Sequence, residues 1–240
     1  MIKFFRKIRQ NLLSENKFSK YLIYAIGEIV LVVIGILIAL SINNWNEAQK
    51  NQNDKKSVYS IIKTDLITDI ENIDKVLSSS TIRESFLKRI IDNDMTKDDY
   101  EDCKLCSFIL LGFPDITLNT RGVKLLEDNS AVFNSHQDSL SIEISDFYAS
   151  SNTIINVALQ EVVNDYEDNF FYFKNNKAWF KDYINFVKND DLLTYLLTSD
   201  DYMNRANTFY ILYFKTYLGH LRDYKKSAQE IIEKINKKIK

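Results

Sequence analysis

The apolar positions of this chain fall into two regimes. Leu22–Ile42 is an almost unbroken apolar run, and residues 29–40 contain no polar side chain. Beyond it, apolar residues return in steps of three and four, the spacing of one helical face. Val58, Ile62, Leu66, Ile70, Ile73 and Leu77 form the first such seam, resumed by Ile82, Phe86 and Ile90. Neither Gly nor Pro interrupts the polar stretch Asn46–Lys56, so one helix is predicted from within the apolar run to about residue 92.

The acidic stretch Asp92–Asp102 reads as a connector. Thr96, with Asp99 three residues on, predicts a capping box for a helix over 97–111, closed by Gly112 as its C′ residue and Pro114 as a stop. A short helix follows near 120–128, and Asn134–Gln137 reads as a turn. Asp138 or Ser139 can cap a long helix whose seam is Leu140, Ile144, Phe147, Ser151, Ile154, Ala158, Val162, Tyr166, Phe170 and Phe173. Two short apolar segments, Trp179–Lys188 and Leu192–Leu197, are separated by Asn189-Asp190-Asp191. Ser199 or Asp200 opens the last helix, with a seam of Met203, Ala206, Tyr210, Tyr213, Tyr217, Leu221, Tyr224, Ala228, Ile231 and Ile235. Its spacing near 3.5 favours shallow packing angles. There is no period-2 strand, and five Gly and one Pro are too few for the many turns of a β-sandwich or barrel. The predicted class is all-α: one transmembrane helix followed by an elongated, mostly antiparallel helical bundle.

At about 1.5 Å per residue, the 21 residues from Leu22 to Ile42 cross a bilayer core of about 30 Å. Tyr21, Tyr24 and Trp45 bracket the run as interfacial anchors. Charge sets the expected orientation. Residues 1–20 hold six Lys and Arg against Glu15, a net +5, which leaves −7 for the rest of a chain whose net charge is −2. Only Lys50, Lys55 and Lys56 follow the span closely. The N-terminus is therefore expected in the cytoplasm and the body in the periplasm, with the inner membrane as the location. The expected domains are a basic amphipathic segment (1–20), a transmembrane helix (21–42) and an extracytoplasmic helical domain (43–240). In the first, Ile2, Phe5, Ile8 and Leu12 share one face, as in a helix lying on anionic lipid. A cleaved leader ending near Ala39-Leu40-Ser41 is the rival, but the apolar run is too long for a signal core.

The segment KFSKYLIYAIGEIVLVVIGILIALSINNWNE, residues 17–47, resembles the N-terminal signature of an uncharacterised family of single-pass membrane proteins of Gram-negative bacteria. Thr120–Tyr148 resembles that family's second, weaker block, with Asp128-Asn129-Ser130 where a Ser-Gly pair is commoner. The resemblance implies an inner-membrane protein with a helical outer domain. It implies no activity.

Candidate chemistry is sparse. Cys103 and Cys106 suit buried thiols, or a disulfide in an oxidising compartment. A thiol oxidoreductase would want them at a helix N-terminus among strands. The two histidines, His136 and His220, lie far apart, and Asp92–Asp102 lacks the Gly and spacing of a calcium loop, so neither a metal nor another cofactor is expected. Glu28 is an ionisable residue within the span, able to reach the interface, to pair in an assembly or to carry protons. Gly27, Gly35 and Ala39 offer a face for close helix packing. No phosphate loop, nucleophile elbow or zinc-hydrolase motif is present, and no basic stripe for nucleic acid. The expectation is a non-enzymatic, membrane-anchored scaffold, sensory or interaction module, with the bilayer and either a protein partner or further copies of itself as its contacts. The alternatives are an accessory subunit of an ion-driven transport complex using Glu28 and, behind it, the thiol oxidoreductase.

Overall fold

A computed structural model of the chain describes residues 18–103, 106–133 and 138–240. Among these residues every regular element is helical and none is a strand. The expected helix over residues 1–13, the turn over 134–137 and His136 fall outside them. The chain divides into two compact units that part between Lys55 and Lys56.

Helix α1 spans Phe18–Ile91, as the uninterrupted pattern predicts. In the second unit its residues Tyr59, Ile62, Leu66, Ile73, Leu87 and Ile90 are buried. It ends in a Schellman motif: Asn93 takes a left-handed φ of 54°, and the N–H groups of Asn93 and Asp94 reach back to the carbonyls of Ile90 and Arg89. α2 (Lys97–Asp102) starts with the capping box of Thr96 and Asp99. Asp99 also receives both guanidinium arms of Arg89, each at 2.9 Å. Those bonds, with the Thr96 contacts, hold its carboxyl well below the usual range.

The second unit is built on three long helices. These are the outer part of α1, α5 (Ser139–Asn176) and a final helix running from Asp200 to Lys238. The last lies antiparallel to both others. Tyr210 meets Glu84 and Tyr224 meets Asp69 on α1, while Arg205 meets Asp168 and Lys234 meets Glu143 on α5. The final helix comprises α8 (Asp200–Phe209), a π-helical stretch (Tyr210–Tyr217) and α9 (Leu218–Lys238). Ser199 caps it, its hydroxyl accepting from the Tyr202 N–H. The π stretch widens the turn, so the adjacent pairs Tyr213–Phe214 and Tyr217–Leu218 are all buried.

Several expected positions shift. The helix expected over 97–111 stops at Asp102, and Gly112 is not a left-handed cap. Beyond it, distant side chains hold the loop's carbonyls: Arg83 donates to Ile109 and Gly112, and Tyr213 to Pro114. Ile82 is 69% exposed and Leu87 lies in the core instead. Ile155, Tyr202 and Phe209 are buried where the pattern pointed to Ile154, Met203 and Tyr210. Asp138 stands at the N-cap of α5, but its side chain does not cap; Lys238 lies 3.5 Å from it.

Two buried acids fix the connection between α1 and α3 (Arg121–Asp128). Asp65 accepts from the Gly122 N–H at 2.8 Å and from Arg121 at 3.1 Å, capping a helix whose own N-cap residue, Thr120, does not. Asp69, fully buried, accepts from the Asn119 N–H (3.0 Å), the Asn119 side chain (2.7 Å) and the Tyr224 hydroxyl (2.8 Å). Burial raises its carboxyl despite these donors. Gly122 lies against α1 so closely that a Cβ there would stand 2.7 Å from Ile62 Cγ1 and 2.8 Å from Ile62 Cα. A four-residue helix, α4 (Ser130–Phe133), puts Phe133 edge-on to Tyr59.

Candidate functional site

Tyr100, Phe108, Tyr183 and Leu196 bring the segments 97–103, 106–108 and 180–198 together in the second unit. α6 (Phe180–Ile184) ends there in a second Schellman motif: the Phe186 N–H bonds the Tyr183 carbonyl and the Val187 N–H bonds Asp182. The left-handed position belongs to Phe186, at φ 58°, where Gly or Asn is the usual occupant. A bulky residue there costs roughly 1 kcal/mol. The residue is 71% exposed; its ring leans on Phe108 at 4.5 Å, which in turn stacks on Tyr183 at 4.3 Å.

Leu192, Leu193 and Leu196 of α7 (Asp190–Thr198) line one cavity with these rings. Asn189 caps α7, accepting from the N–H groups of Asp191 and Leu192, while its own amide donates to Asp182. Between α2, the short 3₁₀ turn Cys106–Phe108, α6 and α7 lies an open cavity of about 330 Å³. Tyr100, Phe108, Tyr183, Leu192, Leu193 and Leu196 supply its walls. Glu101 and Lys188, paired at 2.9 Å, stand at its mouth. The Tyr183 hydroxyl donates to the Ser107 carbonyl at 2.7 Å, fixing the turn that carries Phe108.

Cys103 and Cys106 form a disulfide, with Cα atoms 5.4 Å apart, that closes this same turn. Cys103 is the C-cap residue of α2, at the negative end of the helix and beside Asp102. That placement disfavours a thiolate, whereas thiol catalysis uses a helix N-terminus.

The residues singled out along the apolar run occupy α1 in the first unit. Neither Gly27 nor Gly35 has any atom within 4 Å of where a Cβ would stand, and Ala39 is exposed. Glu28 sits with Ala25, Ile29, Val32 and Val33 around a shallow hollow on the helix surface. Tyr24 is half-buried, Trp45 is exposed, and the side chain of Tyr21 lies outside the description. His220 is half-buried in α9. Among the described residues no group of three His, Cys, Asp or Glu is placed to hold a metal ion.

Of the groove, the sequence signalled only the cysteines and the apolar character of Trp179–Lys188 and Leu192–Leu197. Nothing in the sequence marks Phe186 as left-handed. Asn189 followed by Asp190, Asp191 and Leu192 is an N-cap signature that was legible and reads at first sight as a spacer.

These observations define an all-α protein with one long apolar N-terminal helix, compatible with a single membrane span, and a helical body with an apolar groove at one end. The chain belongs to a family of unknown function (DUF6090), which matches residues 28–151, just over half of its length. No curated protein and no solved structure matches it. The matched region takes in most of the apolar run, the outer part of α1, the buried Asp65 and Asp69, the disulfide turn and the start of α5; α6, α7 and the final helix lie beyond it.

Proposed function

We propose that the chain is a single-pass inner-membrane protein and a non-enzymatic interaction module. Residues 21–42 span the bilayer, the N-terminus lies in the cytoplasm and residues 43–240 face the periplasm. The observation that carries the reading is the state of the apolar run. Fourteen large apolar side chains between Leu22 and Ile42 are exposed, and among the described residues nothing buries the most apolar 18-residue window, at a mean hydropathy of 2.8. At about 1.5–3 kcal/mol per apolar side chain fully exposed, half-exposure of these residues in water costs on the order of 20 kcal/mol. A bilayer removes that cost.

The Lys and Arg excess before the run supports the orientation, and the disulfide of Cys103 and Cys106 suits an oxidising compartment. Gly27, Gly35 and Ala39 offer a face for self-association within the membrane. A body held together by aromatic packing, with an open apolar groove and no assembled catalytic group among the described residues, supports action by contact with another protein.

The test has two parts. A C-terminal alkaline-phosphatase fusion is expected to be active and a C-terminal green fluorescent fusion dark; the reverse pattern refutes the orientation. A native pull-down from mild detergent is expected to recover a defined protein partner. Recovery of the chain alone, in all conditions that keep it folded, refutes the interaction role.

A further inference from the structure

The cavity between α2, the Cys106–Phe108 turn, α6 and α7 is shaped by devices local to it. The Cys103–Cys106 disulfide and the Tyr183 hydroxyl fix the turn that carries Phe108. The Asn189 amide ties the start of α7 to Asp182 on α6. Phe186, on the lining, keeps a left-handed backbone that glycine adopts more readily. Backbone strain held by its surroundings clusters at binding and catalytic sites. At about 330 Å³, the hollow lies near the lower end of the range for small-molecule pockets.

The lining decides what chemistry fits. Aromatic surface comes from Phe108, Tyr183 and Phe186, and aliphatic surface from Leu192, Leu193 and Leu196. Among the described residues three charged side chains line the cavity: Glu101, Lys188 and Asp190. Glu101 and Lys188 neutralise each other at 2.9 Å. Asp190 lies in the first turn of α7, where the positive end of the helix dipole offsets it. An ionised ligand would lose hydration here without gaining a free counter-charge. A peptide finds no main-chain register either. Among the described residues there is no strand edge, and the N–H groups of Phe186, Val187, Asp191 and Leu192 at the cavity are spent in caps. Side-chain surface is what remains, and aromatic walls favour the edges and faces of a ring.

We infer that this cavity binds an uncharged, largely apolar small molecule of one or two rings, seated between Phe108, Phe186 and the leucines of α7. The site goes beyond the protein-contact reading and does not depend on it. The disulfide holds the 3₁₀ turn, and with it Phe108, in place before binding, and a rigid ring has little freedom to lose, so both sides of the contact are ordered in advance.

The probes are 2-naphthol, 2-naphthoate and 2-naphthylmethylammonium, one bicyclic ring carrying no charge, a negative charge or a positive charge at pH 7. Each is titrated into the full chain in nanodiscs of uncharged lipid. Protection of backbone amides from hydrogen exchange is read segment by segment by mass spectrometry, and empty nanodiscs give the free probe concentration. 2-Naphthol is expected to protect residues 106–111 and 180–196, with half-saturation at least tenfold lower than for either charged analogue. Leu193→Trp, which fills the cavity, and Phe186→Gly, which removes a wall and keeps the left-handed backbone, are each expected to weaken that protection at least tenfold. Unchanged exchange in the outer part of α1 and the final helix shows that each variant is folded. Absence of protection by 2-naphthol, equal protection by the three probes, or tighter binding of a charged one overturns the proposal. Undiminished protection in either folded variant also overturns it.

Discussion

The Tyr224 hydroxyl donates to the Asp69 carboxylate at 2.8 Å, joining the final helix to α1 across 155 residues of sequence. Both groups are buried, and Asp69 also receives two donors from Asn119. A buried carboxylate is tolerated only while its donors are in place. Tyr224→Phe keeps the ring against Phe147 and removes one donor. It is expected to lower stability by about 2 kcal/mol, the usual cost of a hydrogen bond to a charged group. Urea unfolding of wild type and variant measures this. An unchanged midpoint would mean that Asp69 is satisfied without the tyrosine.

Gly122 and Ile62 make the closest backbone approach described for any of the five glycines. Gly122→Ala is expected to destabilise the protein by about 2–3 kcal/mol, the range for overpacking a filled site. Because the clash involves Ile62 Cα and N as well as its side chain, Ile62→Ala should not rescue it. Gly219→Ala, where nothing stands within 4 Å, is the control and should be neutral or slightly stabilising, since alanine favours a helix interior. Thermal melts of the three variants test the ordering.

Asp165 is an acid of the second unit whose carboxyl is raised into a readily tested pH range. Burial and the nearby charge of Asp168 push its carboxyl up to about 6, against the opposing influence of Arg205 and a bond from the Asn169 amide at 3.1 Å. The folded state therefore holds the proton more tightly than the unfolded chain. Its favourable contribution is complete below about pH 4 and is lost as pH rises through 6. Asp165→Asn, which keeps an acceptor for Asn169, is expected to stabilise the protein at pH 7–8 by on the order of 1 kcal/mol, after allowance for solvent screening of a partly exposed group. The advantage should disappear below pH 4. A stability difference that is flat from pH 4 to 8 would remove the carboxylate as its source.

Much of the architecture was readable because it follows from local rules. The unbroken α1 follows from the absence of Gly and Pro after Trp45, the capping box from Thr96 and Asp99, and the start of the final helix from Ser199. What escaped depends on partners distant in sequence. Asp65 and Asp69 read as polar interruptions beside an apolar seam, yet they are buried because Gly122, Asn119 and Tyr224 arrive to satisfy them. The helix expected over 97–111 satisfies every local criterion. In its place a disulfide closes a 3₁₀ turn at Cys106–Phe108, and Arg83 and Tyr213 hold the carbonyls of Ile109 and Pro114 in the loop beyond. The π stretch departs from a period of 3.6, and the neighbouring buried aromatics Tyr213 and Phe214 carry its trace.

The loop from Ile109 to Thr120 carries a consequence for how the protein is made. Its fastenings come from both directions: Arg83 and Asp69 precede it, while Tyr213, Tyr217 and Tyr224 follow it by about a hundred residues, the last acting through Asp69. A ribosome adding about 5–20 residues per second needs roughly 5–20 s to travel from Asn119 to Tyr224. Throughout that interval the loop is without its tyrosine partners, the donor Tyr213 and the acceptor Tyr217, and Asp69 is without its Tyr224 donor. The second unit thus closes late, after its C-terminal helix has been delivered, and a chain cut short before Tyr213 lacks the bonds that fasten this loop to that helix.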